Sequence, residues 1–75
     1  MKSLTDADFT LLERFAEQLS KPGMPVRVEY EPPQQHLTVR FNKPGQNNMR
    51  RELGLWSYPT LEQLKAAIKK EAGAA

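Results

Sequence analysis

The sequence contains no cysteine, and it has one histidine and one tryptophan among its 75 residues. Without cysteine, neither a disulfide nor a thiolate metal site can supplement the hydrophobic core. A lone histidine without a second His or Cys at ligand spacing argues against a metal site. No segment approaches the roughly 18 consecutive apolar residues that a membrane span needs. The start of the chain has no apolar run typical of a signal peptide. We therefore expect a cytoplasmic protein without metal or cofactor.

The length of 75 residues predicts a single domain, residues 1–75, with a thin core. The net charge of +2 is mild, but the charges are unevenly distributed. Residues 1–20 contain two Lys or Arg and four Asp or Glu, whereas residues 21–75 contain nine and five. No acidic residue lies between positions 40 and 51, which include Arg40, Lys43, Arg50 and Arg51. Such a local cluster of one sign attracts anionic partners.

Two segments have the apolar periodicity of amphipathic helices, at about 5–20 and about 60–72. Thr5 is suited to cap the first helix, because its hydroxyl can accept a hydrogen bond from the Asp8 amide. Thr60 and Gln63 have capping-box spacing at the start of the second. The predicted core combines the helical stripes with alternate strand residues: Leu12, Phe15, Val28, Val39, Phe41, Leu64 and Ile68.

Residues 26–41 alternate apolar and polar side chains, which predicts an antiparallel hairpin around a loop at 32–35. In this register Val28 faces Val39 and Tyr30 faces Leu37. The polar side chains then share the opposite, solvent-facing side of the sheet: Arg27, Glu29, His36, Thr38 and Arg40. Arg27 would lie opposite Arg40, and such a like-charge pair is unfavourable unless a carboxylate or another anion relieves it.

Residues 42–51 read as a basic loop in which amides accompany the cations. At ten residues the loop would be long, and long loops in compact domains tend to be functional or disordered. A third strand is possible at about 53–58, although Gly54 weakens that interpretation. For Trp56 we favour an inward position against the core. An outward Trp56 would instead be a binding anchor or a stacking surface.

The sequence thus predicts an α+β fold in the order α-β-β-(β)-α. It is a single small domain, with both helices on one face of an antiparallel sheet and the other face open. This order resembles that of double-stranded-RNA-binding domains and of small toxins that share their fold. The second helix opens with "TLEQLK", where the RNA-binding family would have a Lys-Lys clamp. The "QQHLTVRF" strand has a histidine near its start, as in the toxins, but Gln34 and Gln35 replace their Gly-Ser.

No nucleophile motif or phosphate-binding glycine loop accompanies His36, so we expect a surface histidine beside Glu31 and no enzyme. The leading hypothesis is a small non-enzymatic binding protein whose basic loop contacts nucleic acid or a nucleic-acid-handling protein. The alternative is a protein-interaction module, a small inhibitor or adaptor, that uses the open sheet face. A remote alternative is a ribonuclease toxin that uses His36. The chain would be a monomer, or a homodimer through an open strand edge. The predicted contact residues are Arg27, Arg40, Lys43, Gln46, Asn47, Asn48, Arg50, Arg51 and Trp56.

Overall fold

The computed structural model describes Met1, residues 3–43 and residues 45–73. The main elements follow the predicted order: α1 (Asp6–Leu19), β1 (Arg27–Glu31), β2 (His36–Lys43), β3 (Gln46–Gly54) and α2 (Leu61–Ile68). Short 3₁₀ turns at Pro32–Gln34 and Leu55–Ser57 connect elements, and a π-helical turn at Lys69–Gly73 extends α2. The three strands form one antiparallel sheet with β2 at its centre. The predicted α+β fold with an open sheet is confirmed.

Local hydrogen bonds define both ends of α1. The Thr5 hydroxyl accepts from the Asp8 amide at 3.0 Å, and the Asp8 carboxylate accepts from the Thr5 amide at 3.2 Å. This reciprocal capping box satisfies two amides at the helix start. At the other end, the Ser20 hydroxyl accepts from the Val26 amide at 2.8 Å and donates to the Ala16 carbonyl at 3.0 Å. Ser20 therefore fixes the end of α1 against the chain that enters β1.

The β1–β2 register agrees with the prediction from the alternating pattern. Val28 lies opposite Val39, and Tyr30 lies opposite Leu37, on the side of the sheet that the helices cover. The burial of Val28, Leu37 and Val39 supports this register, because a slip of one residue would turn these side chains to solvent.

The predicted basic loop at 42–51 is wrong. β2 continues to Lys43, β3 begins at Gln46, and Gly45 lies between them with φ +77°. A Pro-Gly pair suits a tight turn because glycine adopts positive φ without a steric cost. The register shifts between Phe41 and Lys43, which marks a β-bulge. Residues 46–54 contain no β-branched residue, so strand propensity did not predict this strand.

The predicted third strand at 53–58 is also wrong, because β3 ends at Gly54 and a 3₁₀ turn follows. Leu55 points into the core, and its amide donates to the Gln35 carbonyl at 2.9 Å. The turn replaces strand alternation with a helical rotation, which sends Trp56 outward with 67% of its surface exposed. The predicted inward position of Trp56 is therefore wrong.

The core lies between the sheet and the two helices. Of the residues predicted to form it, Phe15 is only partly buried and the others are buried. The buried apolar residues are Leu4, Leu12, Ala16, Val26, Val28, Leu37, Val39, Phe41, Leu53, Leu55, Leu64 and Ile68. Within the described ranges, neither helix has the length and apolar character needed to cross a bilayer.

Candidate functional site

Three arginines, one from each strand, form a row across the face of the sheet opposite the helices. Arg27 pairs with Arg40 across β1 and β2, and Arg40 pairs with Arg50 across β2 and β3. Directly opposed residues present their side chains to the same face. Because neighbouring strands lie about 4.8 Å apart, the row spans roughly 10 Å. We call Arg27, Arg40 and Arg50 the arginine row, and this side of the sheet the open face.

Glutamates flank the arginine row on one side. The Nε atom of Arg40 pairs with a carboxylate oxygen of Glu29, and Nη2 of Arg50 lies 3.0 Å from Oε1 of Glu52. All four of these side chains are about half exposed, with fractions of 50–54%. Among the described residues, Arg27 forms no salt bridge. The glutamates thus neutralise the arginine row only in part, and some repulsion between its like charges remains.

The other two predicted cations do not join the arginine row. Arg51 lies opposite Val39, on the helix side of the sheet, and its Nε atom is 3.3 Å from a carboxylate oxygen of Glu71. The Lys43 ammonium lies 5.6 Å from the centroid of the Phe41 ring, a cation–π contact. The predicted basic cluster is therefore divided between the two faces of the sheet, because alternation along β3 separates Arg50 from Arg51.

An amide pair lies at the turn end of the sheet. The backbone amide of Asn48 donates to the Asn42 side-chain oxygen at 2.9 Å, and Asn48 has a left-handed φ of 59°. Asn42 thus satisfies an amide near the bulge, where ladder bonds are interrupted. Sequence reasoning missed Asn42, although a turn at Gly45 would have placed it opposite the amides of β3. Gln46 pairs with Lys43 in the ladder, and the Asn47 side chain lies outside the described residues.

A cluster centred on His36 occupies the other end of the open face. The imidazole Nε2 lies 3.3 Å from Oε2 of Glu31, and Nδ1 lies 3.7 Å from Oε2 of Glu52. Only 13% of the His36 side chain is exposed, so the neighbouring side chains cover it more than a surface position implied. The imidazole thus lies between two carboxylates, but the described residues offer no three side chains placed to hold a metal ion.

Thr38 is buried, with 1% of its surface exposed, so its predicted solvent-facing position is wrong. Its hydroxyl donates to Oε1 of Glu31 at 2.6 Å, which draws the longer glutamate side chain over it. This hydrogen bond is the main cause of a lowered pKa of Glu31, and the neighbouring His36 lowers that pKa further. A carboxylate held in this way stays ionised to lower pH than a free one.

Trp56 lies on the open face beside the His36 cluster. A Cβ atom built on Gly54 would overlap three atoms of the indole ring, so the ring packs directly on the glycine backbone. Gly54 is opposite His36 in the ladder, which places the ring on the same face as the imidazole. Arg40 of the arginine row lies four residues along β2 from His36, a distance of roughly 13 Å.

Comparisons with protein families, curated proteins and solved structures find no match to this chain. The arginine row, the amide pair and the His36 cluster therefore carry the functional argument by their own chemistry.

Proposed function

We propose that this protein binds nucleic acid without catalysis, through phosphate contacts made by the arginine row. The observation that carries the proposal is the alignment of Arg27, Arg40 and Arg50 in directly opposed positions on three strands. Each guanidinium offers several donors in a planar fork that matches phosphate oxygens. A phosphate chain laid across the strands would relieve the repulsion between these like charges.

The existing ion pairs leave the arginines available. Salt bridges between exposed side chains contribute only about 0.2–1 kcal/mol, because water and salt screen them. Arg40 and Arg50 are half exposed, so each can exchange a carboxylate for a phosphate at small cost. The Asn42 and Asn48 amides lie beside the row and supply neutral hydrogen-bonding groups for phosphate or sugar.

The glutamates restrict the direction of the bound chain. Glu29 and Glu52 lie opposite Thr38, two residues along the strands from the arginine row towards Trp56. They would repel a phosphate chain that ran along the strands to the indole ring. We therefore expect the nucleic acid to cross the strands at the turn end of the sheet, with no base stacked on Trp56.

Fluorescence anisotropy with a labelled single-stranded RNA and the matching duplex tests this proposal. The triple variant Arg27→Gln, Arg40→Gln, Arg50→Gln removes the row. A matched triple variant Arg14→Gln, Lys69→Gln, Lys70→Gln removes the same charge from exposed positions elsewhere. We expect the first to lose at least about tenfold in affinity, since charge-assisted hydrogen bonds contribute about 1.5–3 kcal/mol each. The matched variant should lose much less, and equal losses would reject the row as the site.

A protein partner is the second candidate for the same face. The glutamates beside the arginine row make the open face a patch of mixed charge, and Trp56 offers an exposed aromatic anchor. A protein with the complementary arrangement of charges would engage both groups of side chains. Trp56→Ala distinguishes the two candidates, because it should weaken a protein complex and leave RNA affinity unchanged.

His36→Gln tests the non-catalytic part of the proposal. His36 lies between Glu31 and Glu52, but Thr38 is buried and its hydroxyl is hydrogen-bonded to Glu31. We expect no RNA cleavage by the wild type. Cleavage by the wild type that His36→Gln abolishes would replace the binding proposal with a ribonuclease.

A further inference from the structure

A groove of about 420 Å³ runs between α1 and β1, on the side of the molecule away from β3. Its apolar lining comes from Ala16 on the helix and from Val26 and Val28 on or next to the strand. Ser20 closes one end of it, where its hydroxyl binds the Val26 amide. The groove borders the arginine row at Arg27, but its helical wall carries the carboxylates of Glu13 and Glu17.

β1 forms one wall of the groove and is an edge strand, because the sheet order is β1-β2-β3. In an antiparallel ladder, alternate residues direct their backbone N–H and C=O groups away from the neighbouring strand. Within the described residues no strand pairs with the outer edge of β1. Such an edge is a template for an added strand, whose alternate side chains would enter the groove.

The negative charge of the helical wall favours an added strand with basic side chains. Glu13 and Glu17 line its helical wall. Arg27 and Glu29 also border the groove, but alternation along β1 directs both side chains to the open face, where Glu29 pairs with Arg40. Neither Glu13 nor Glu17 forms a salt bridge within the described part of the chain. A second copy paired here would bring its own Glu13 and Glu17 against these, so the charges disfavour self-association.

We propose that the β1 edge and the α1–β1 groove form a docking site for an extended basic peptide segment of a partner protein. The segment adds to β1 as a fourth strand. Its backbone bonds to the free edge, small apolar side chains contact Val28 and Ala16, and Lys or Arg side chains reach Glu13 and Glu17. This site adjoins the proposed nucleic-acid site at Arg27, but its binding groups are the β1 edge, Glu13 and Glu17, and it assigns this chain a protein partner.

The test uses a short capped peptide as long as β1, Lys-Thr-Val-Thr-Lys, whose two lysines and central valine share the side that faces the groove. Heteronuclear NMR of the whole chain should show shift changes concentrated at the β1 amides and along the Glu13–Glu17 face of α1. Two control peptides are matched in length: one replaces lysine with glutamate, and one replaces the central valine with proline. Neither should bind, because the first reverses the charge and the second breaks the ladder.

The double variant Glu13→Gln, Glu17→Gln should weaken binding of the lysine peptide by about two- to thirty-fold, as expected for two exposed ion pairs. Glu62→Gln is the matched control on α2 and should leave affinity unchanged. Binding that tolerates the central proline, or shift changes outside β1 and α1, would overturn the proposal. A concentration-dependent dimer that pairs at β1 without peptide would also overturn it. None of these variants alters the arginine row, so the outcome is separable from that of the RNA experiment.

Discussion

The indole ring of Trp56 lies against the backbone of Gly54, in the space that a Cβ atom at position 54 would fill. Gly54 is extended, with φ −70° and ψ 122°, so it is required there for close approach rather than for its backbone conformation. The contact holds the one tryptophan of the chain on the open face beside His36.

Gly54→Ala should displace this ring. The backbone tolerates alanine and the ring is 67% exposed, so we expect the free energy of unfolding to change by less than about 1 kcal/mol. The tryptophan emission should shift to longer wavelength as the indole leaves the glycine surface for water. Ser57→Ala, at an exposed neighbouring position, should leave the emission unchanged. An unaltered spectrum in Gly54→Ala would contradict the packing described here.

Val39→Ala should destabilise the fold, because Val39 is fully buried on the central strand opposite Val28. The lost burial and the remaining cavity predict a decrease of about 1–3 kcal/mol in the free energy of unfolding. Leu11→Ala is the control, since Leu11 is apolar but 51% exposed, and it should change stability by less than about 0.5 kcal/mol. Equal urea midpoints for Val39→Ala and the wild type would contradict the position of Val39 in the core.

The pKa of Glu31 makes stability depend on pH, chiefly through the Thr38 hydrogen bond. A carboxylate with a lowered folded-state pKa stabilises the fold fully above its ordinary value of 4.5, and that stabilisation is lost as pH falls through the folded pKa. Glu31→Gln should therefore be less stable than the wild type at neutral pH, and the gap should narrow below pH 4.5. Urea unfolding across this range measures it.

Thr38→Val checks the cause of this effect. Valine has nearly the shape of threonine without the hydroxyl, so the pKa of Glu31 should rise towards its ordinary value in an NMR titration. A stability gap between wild type and Glu31→Gln that stays constant with pH would contradict the lowered pKa.

Periodicity predicted the helices and the first hairpin because burial on one face dictates those patterns. Val28 and Val39 alternate with polar neighbours, and a one-residue slip would expose them. Periodicity did not predict β3, because its buried residues, such as Leu53, are spaced among amides and arginines. Reading Pro44-Gly45 as a tight turn would have continued the alternation across the predicted loop.

The candidate site was predictable in its residues but not in its arrangement. Arg27 and Arg40 were placed opposite each other from the hairpin alone. The position of Arg50 in the arginine row depends on β3 being a strand, which the sequence did not predict. Alternation along β3 places Arg51 on the helix side instead. The exposure of Trp56 depends on where β3 ends. The packing of Leu55 and Gly54 determines that end, and local propensity does not.

The salt dependence of RNA affinity tests the central claim most directly. Each neutralised phosphate releases counterions, so three arginine contacts predict a log–log slope of about −2 on a single strand. The triple variant Arg27→Gln, Arg40→Gln, Arg50→Gln should bring that slope close to zero. The matched variant Arg14→Gln, Lys69→Gln, Lys70→Gln should retain it. Identical slopes for the wild type and the arginine-row variant would contradict the account, because the phosphates would then contact other residues.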